Sequence, residues 1–220
     1  MNIKDRVKRL FRLRFAILYP LAVFVAVFAN TTNESIRWGL CLIVPGVLLR
    51  LLSNGYAVKT EKLTTCGPYA FLRNPLYLGT LFILMGFVLL MRIYLVGSVA
   101  LAAFVLAYVR TIRKEETLLE GIYKEEYRAY KKEVPSLIPR LVPYAKGESW
   151  SFSFERLLRS KEHKIFIWLA IAIIAFHLKS EIIVEKEVFD LRMIILIAVA
   201  FGLAAMDLAE ELWRKKHHEG

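Results

Sequence analysis

Two short polar stretches hold the residue types from which a ligand site is assembled. The first is Gly67-Pro68-Tyr69-Ala70-Phe71-Leu72-Arg73-Asn74-Pro75-Leu76-Tyr77-Leu78-Gly79, a turn that runs into the start of an apolar helix. The second is Glu115-Glu116, followed by Tyr123, Tyr127, Tyr130 and Val134-Pro135. A helix beginning at Asn74-Pro75 offers free backbone N–H groups and partial positive charge, which suit a carboxylate or phosphate. A carboxylate at Glu115 or Glu116 suits an ammonium group, the surroundings of a sulfonium or ribose hydroxyls, and tyrosine faces at Tyr69 and Tyr77 attract a cation. Each residue also has a plainer use. Asn74 is a good helix cap and Pro75 a good first-turn residue. Arg73 serves as a charge anchor and the tyrosines as an interfacial belt. The glutamates fit a solvated helix face beside Arg113 and Lys114, and Gly79 permits close helix packing as readily as a ligand. Arg50, inside an apolar block, either snorkels to the interface or reaches an acceptor.

The elements that must position these groups are membrane helices. The chain of 220 residues is 57% hydrophobic and 23% charged, with the apolar residues in blocks and the charges in the gaps. The blocks are Phe15 to Ala29, Ile36 to Tyr56, Leu76 to Met91, Ile93 to Val109, Lys164 to Leu178 and Val188 to Met206. A perpendicular span takes about 20 residues, so several blocks are short unless their flanks extend them. The pattern predicts an all-α, polytopic bundle of about six transmembrane helices, its first span retained and not cleaved as a signal peptide. The formal charge of +11 flanks the blocks, so it is read as orientation and contact with anionic headgroups, not nucleic acid.

Basic residues crowd before the first block (Lys4, Arg6, Lys8, Arg9, Arg12, Arg14), between the second and third (Lys59, Lys62, Arg73), from Arg110 to Lys164, and in the tail (Arg214, Lys215, Lys216). The gap 30–35 has none, and the gap 179–187 is net acidic. The alternation places both termini, the 57–75 loop and the 110–163 segment in the cytoplasm, with both polar stretches on that face of a cell membrane. Arg110 to Lys132 reads as a helix projecting from the fourth span, and Pro135, Pro139 and Pro143 as an extended wrap after it. Trp150, Phe152 and Phe154 fit an interfacial segment. The division expected is a core over 1–147, with four spans, the projecting helix and the wrap, and a C-terminal addition over 148–220 with two further helices. Cys41 and Cys66 fall at different depths, so neither a disulfide nor a metal site is expected.

In order and spacing, L-T-T-C-G-P-Y-A-F-L-R-N-P-L-Y-L-G, R-K-E-E-T-L-L and Y-K-E-E-Y-R-A-Y-K-K-E-V-P resemble the isoprenylcysteine carboxyl methyltransferase and phospholipid methyltransferase superfamily, over roughly Arg50 to Pro139. The resemblance implies an integral membrane enzyme using S-adenosylmethionine in a site under a cytosolic cap, with a lipid-like or prenylated acceptor. It implies cofactor contacts at Leu63 and Thr64 in the stretch Glu61–Thr64, at Tyr69, at Arg73, Asn74, Pro75 and Tyr77, and at Glu115; Gly79, one turn into the helix, joins this cofactor set as a point of close approach. Glu116, beside it, is the nearest base, and Arg50 the residue placed to reach the acceptor; these two form the catalytic assignment. Two departures stand out. Asn74 occupies the place of a commoner histidine, so hydrogen bonding is kept and titration is not. Thr111 stands where enzymes acting on a prenylcysteine carboxylate carry arginine, which favours a lipid or small-amine acceptor. The rival readings are an NADPH-dependent membrane reductase of the sterol reductase type and a non-catalytic lipid-binding or scaffold member. Acceptor identity and oligomeric state are not legible in the chain.

Overall fold

The computed structural model describes residues 29–58, 62–160, 162–185 and 191–218. The first expected span and Glu61 lie outside them, apart from Ala29. Among the described residues there is no strand, and the architecture is a membrane helix bundle, as the apolar blocks predict.

Helix α1 (Asn33–Tyr56) starts at Thr32, which forms a reciprocal capping box with Ser35. Helix α2 (Pro75–Leu90) runs back antiparallel, and at its end the Ser35 hydroxyl donates to the Leu90 carbonyl at 2.9 Å. The two helices approach through glycine pairs. A Cβ on Gly46 would lie 2.6 Å from the Gly79 carbonyl oxygen, and one on Gly86 would lie 2.6 Å from the Gly39 carbonyl oxygen. The four glycines recur every seventh residue on each helix (39 and 46, 79 and 86), so a seam of bare backbone lets the helices touch.

Helix α3 (Tyr94–Glu133) carries the fourth block without a break into the expected projecting helix as far as Tyr123, about 45 Å at helical rise, and its 40 residues are two helical pieces that meet at a sharp kink. Its sequence has no glycine or proline between Ser98 and Glu120, so nothing stops the helix at the block's edge. At Lys124 (φ 47°, ψ −116°) the chain turns back, which brings Lys131 Nζ within 3.5 Å of Glu120 and 3.6 Å of Glu116, so Arg110 to Lys132 is not the single projecting helix expected. From Val134 the chain runs without helix through the prolines, as expected, but with repeated bends and not as one extended stretch, until the six-residue helix α4 (Phe154–Arg159). Helix α5 (Glu162–Lys179) passes into a π-helical turn (Ser180–Glu185), and α6 (Leu191–His218) closes the chain.

Three helical stretches are long and apolar enough to cross a membrane: α1, α3, and Lys164–Ile182 spanning α5 and its π-helical turn. The apolar parts of α2 and α6 are shorter, Pro75–Leu90 and Met193–Ala209. The C-terminal helices are tied to the core at both ends. At one end Thr31 N–H donates to Ser180 Oγ at 2.8 Å, and Lys179 Nζ to the Ala29 carbonyl at 2.7 Å. At the other, Arg50 of α1 meets Glu162 of α5 at 2.7 Å. Between α5 and α6, Lys164 pairs with the buried Asp207 at 2.9 Å, and Trp168 Nε1 donates to the same carboxylate at 3.3 Å.

Candidate active site

The turn between α1 and α2 opens the site. Gly67 takes φ 59°, and a Cβ there would sit 2.5 Å from the Tyr56 ring, so the position calls for glycine on both counts. Residues 67–70 form a single 3₁₀ turn. The proline-containing wrap is clasped against residues 70–74, between this turn and α2. Arg73 and Asn74 N–H donate to the carbonyls of Pro135 and Ser136 at 2.9 and 3.1 Å. In return, Arg140 and Tyr144 N–H donate to Phe71 and Ala70 at 3.0 and 2.9 Å. Leu63 packs with Tyr127, Tyr130 and Val134 in a small buried cluster beneath this clasp. Thr64 Oγ1 accepts from Val58 N–H at 3.1 Å, closing the preceding loop.

Asn74 does not cap α2 with its side chain. Its amide Nδ2 donates instead to Ser136 Oγ at 3.0 Å and to Glu116 Oε1 at 3.3 Å. The same carboxylate takes Arg73 Nη2 at 2.9 Å, and Lys131 Nζ lies 3.6 Å from its other oxygen. Arg73 and Glu116 have side chains only 10% and 11% exposed, so this is a nearly dry ion pair. Arg73 Nη1 donates to the Lys131 carbonyl at 2.9 Å, while its Nε is buried with no hydrogen-bond partner among the described residues.

Glu115 points another way. Successive helical residues diverge by about 100°, and Glu115 is exposed while Glu116 is buried. The Glu115 carboxylate accepts from the Tyr77 hydroxyl at 2.7 Å. The Tyr77 ring meets Tyr108 edge to face at 4.5 Å, and Tyr108 in turn lies 3.8 Å from Phe104. Pro75 is buried at the first turn of α2. Gly79 lies against α1, where a Cβ would meet Arg50 Cγ at 2.7 Å.

Tyr69 is enclosed by the turn, and its carbonyl accepts from the Tyr130 hydroxyl at 2.6 Å. Burial pushes its phenol well above the usual tyrosine range; the Arg50 charge opposes that rise, and Glu115 and Glu162 add to it. Arg50 is fully engaged. Nε and Nη2 reach Glu162 at 3.1 and 2.7 Å, and Nη1 donates to the Leu76 carbonyl at 3.3 Å and to the Thr80 hydroxyl.

The structure thus gathers Arg73, Asn74 and Glu116 in one cluster and Tyr77 and Glu115 in a second at the same end of α2. Leu63, Thr64 and Pro75 support the turn, and Arg50 and Gly79 lie at the α1–α2 contact. Sequence reading missed Ser136, Tyr108 and Glu162. Tyr108 lies one helical repeat before Glu115 and was within reach of a periodicity argument; Ser136 comes from the wrap and Glu162 from the first position of α5, and neither carries a local signal.

Fold and site together define a membrane helix bundle with paired polar clusters at one end of α2, and residues 50–126 match the phospholipid methyltransferase family. That match begins at Arg50 and takes in the turn, Tyr77 and both glutamates. The chain is 28% identical over 134 residues to the cobalt-zinc-cadmium resistance protein CzcN of Cupriavidus metallidurans. The aligned part is 60% of this chain and spans 62% of that relative's length. No solved structure matches the chain.

Proposed function

We propose that the protein is an integral membrane methyltransferase that uses S-adenosylmethionine at the cytoplasmic face and acts on a lipid-like or prenylated acceptor. The observation that carries this reading is the Tyr77–Glu115 pair beside the Arg73–Asn74–Glu116 cluster, within the family-matched stretch. The donor set fits the cofactor. An exposed carboxylate anchored by a phenol suits amino or ribose groups. The tyrosine rings suit a positive centre. The buried Nε of Arg73, without a hydrogen-bond partner among the described residues, and the start of α2, which its N-cap side chain does not cap, suit a carboxylate.

When bound, S-adenosylmethionine supplies an electrophilic methyl group on a sulfonium. The chain's own contribution is placement and exclusion of water. Glu115, Tyr77 and Tyr108 hold the cationic part of the ligand. Glu116 and Arg50 act as positioning residues: Glu116 locks Arg73 and Asn74, and Arg50 locks α2 against α1 and α5. The sequence reading gave Glu116 the place of a base, but its oxygens are taken up by Arg73, Asn74 and Lys131.

An apolar groove of ≈ 670 Å³, lined by Leu49, Leu52, Phe71, Leu78, Phe82 and Ile138, reaches the same turn. It suits the hydrocarbon tail of the acceptor.

Calorimetric titration of the purified protein with S-adenosylmethionine tests the reading. Tyr77→Ala and Glu115→Ala are each expected to weaken binding at least tenfold. Unchanged affinity in both sinks the assignment, and tight binding of NADPH in its place moves the protein to the reductase class. Labelled methyl transfer into total membrane lipid then identifies the acceptor.

A further inference from the structure

A cleft of ≈ 550 Å³ separates the end of α1 from α4, and none of its lining residues belongs to either polar cluster at the start of α2. Its walls carry Lys62, Arg156 and Arg159 together with Asn54, Trp150 and Ser160, and among the described residues they carry no carboxylate. The geometry points to a site for the phosphate of an anionic lipid headgroup.

Arg156 is held in place by carbonyl oxygens, Gly55 at 2.9 Å and Ser151, and no carboxylate pairs with it among the described residues. Carbonyl dipoles orient a guanidinium without neutralising it, so its charge is available to an anion. Arg159 pairs with Glu155, and Lys62 has Glu148 among its partners; these two carboxylates are 72% and 66% exposed and lie outside the cleft lining. Exposed pairs of this kind are weak and yield readily to a better-placed anion.

The surroundings decide for a lipid over a soluble phosphate. Phe154 and Leu158, on the same short helix as the two arginines, are 73% and 50% exposed. Phe152 meets Phe154 edge to face with ring centres 5.0 Å apart, and Trp150 Nε1 donates to the Tyr56 carbonyl at the end of α1. A tryptophan and exposed apolar side chains next to cations mark the depth at which headgroups lie.

Native mass spectrometry of the full chain in detergent, with dioleoylphosphatidylglycerol and dioleoylphosphatidylcholine added in equal amounts, tests the site. The wild-type chain should retain the anionic lipid preferentially. Lys62→Gln/Arg159→Gln, which removes only exposed side-chain ends and leaves the fold intact, should lower that retention by about fivefold per charge. Arg128→Gln/Lys132→Gln, the same charge change on α3, should leave it unaltered, and so should excess inorganic phosphate. Equal retention of both lipids, equal loss in the two double variants, or displacement of the lipid by inorganic phosphate would each overturn the proposal.

Discussion

Glu115 and Glu116 are neighbours in the chain and opposites in environment, and substitution should separate them cleanly. Glu116→Gln leaves the Arg73 guanidinium buried without its counter-charge, an arrangement that typically destabilises by about 3–5 kcal/mol. A marked drop in the thermal midpoint of the detergent-solubilised protein is expected. Glu115→Gln changes an exposed side chain, so stability should stay within about 0.5 kcal/mol of wild type. Its effect should fall on cofactor affinity. Equal stability losses in the two variants would contradict the division of roles. The sequence made the pair visible but not the division, because which glutamate faces Tyr77 depends on the rotation of α3 against α2. Asn74 shows the same limit. The local pattern Asn-Pro at a helix start predicts a cap, yet Glu116, 42 positions away, and Ser136, 62 positions away, take the amide instead. These bonds from Nδ2 fix how the amide is turned, its oxygen caps none of the local N–H groups, and nothing local foretells it.

At the scale of elements, legibility depends on where the determinant lies. The helices themselves were readable, since their apolar blocks and the absence of stop signals in α3 are local. That the wrap is not helical was readable from its prolines. Its clasp on the turn was not, because the bonds from Arg73, Asn74, Arg140 and Tyr144 are backbone pairings between stretches 62 to 74 residues apart. The α1–α2 seam was half readable: Gly79 was noted, but its partner Gly46 gains meaning only once the helices are paired. Gly46→Ala should destabilise by about 1–3 kcal/mol, because the added Cβ meets the Gly79 backbone oxygen and Ile83, and a backbone oxygen cannot rotate away. Thermal denaturation of this variant alongside Gly121→Ala makes the comparison internal. Gly121 has open space around it, so alanine there should stabilise by up to about 1 kcal/mol. The cap also carries a pH signature. Burial raises the phenols of Tyr69, Tyr127 and Tyr130 above the usual tyrosine value of about 10. A folded-state value above the unfolded one means that stability is fully present below about pH 10 and declines as the pH rises further. Absorbance of phenolate at alkaline pH should therefore show a late group of tyrosines that ionise together with loss of helical signal. Smooth ionisation of all tyrosines ahead of unfolding would show that the cap is looser than its buried tyrosine cluster requires.

Across the whole molecule, the C-terminal helices are joined to the family-matched core by side chains that no local pattern links. The Arg50–Glu162 pair is the main bond at the polar end, with side chains 16% and 14% exposed. Burying two charges costs much of what their attraction returns, so such a pair stabilises little over well-packed apolar side chains, while breaking it from one side is severe. A double-mutant cycle tests this balance. Arg50→Met and Glu162→Leu should each destabilise by about 3–5 kcal/mol, since each leaves one charge buried and unpaired. The double variant should recover most of that loss, giving a large coupling energy. The cycle also decides what Arg50 does for the chemistry. All three of its guanidinium nitrogens are occupied, by Glu162, the Leu76 carbonyl and Thr80, which describes a clamp between α1, α2 and α5. A clamp can be replaced by packing, so the double variant should keep methyl transfer within a few-fold of wild type at temperatures where it is folded. A double variant that is fully stable and fully inactive would instead place Arg50 against the acceptor, and would make Glu162 the residue through which the C-terminal helices govern access to it.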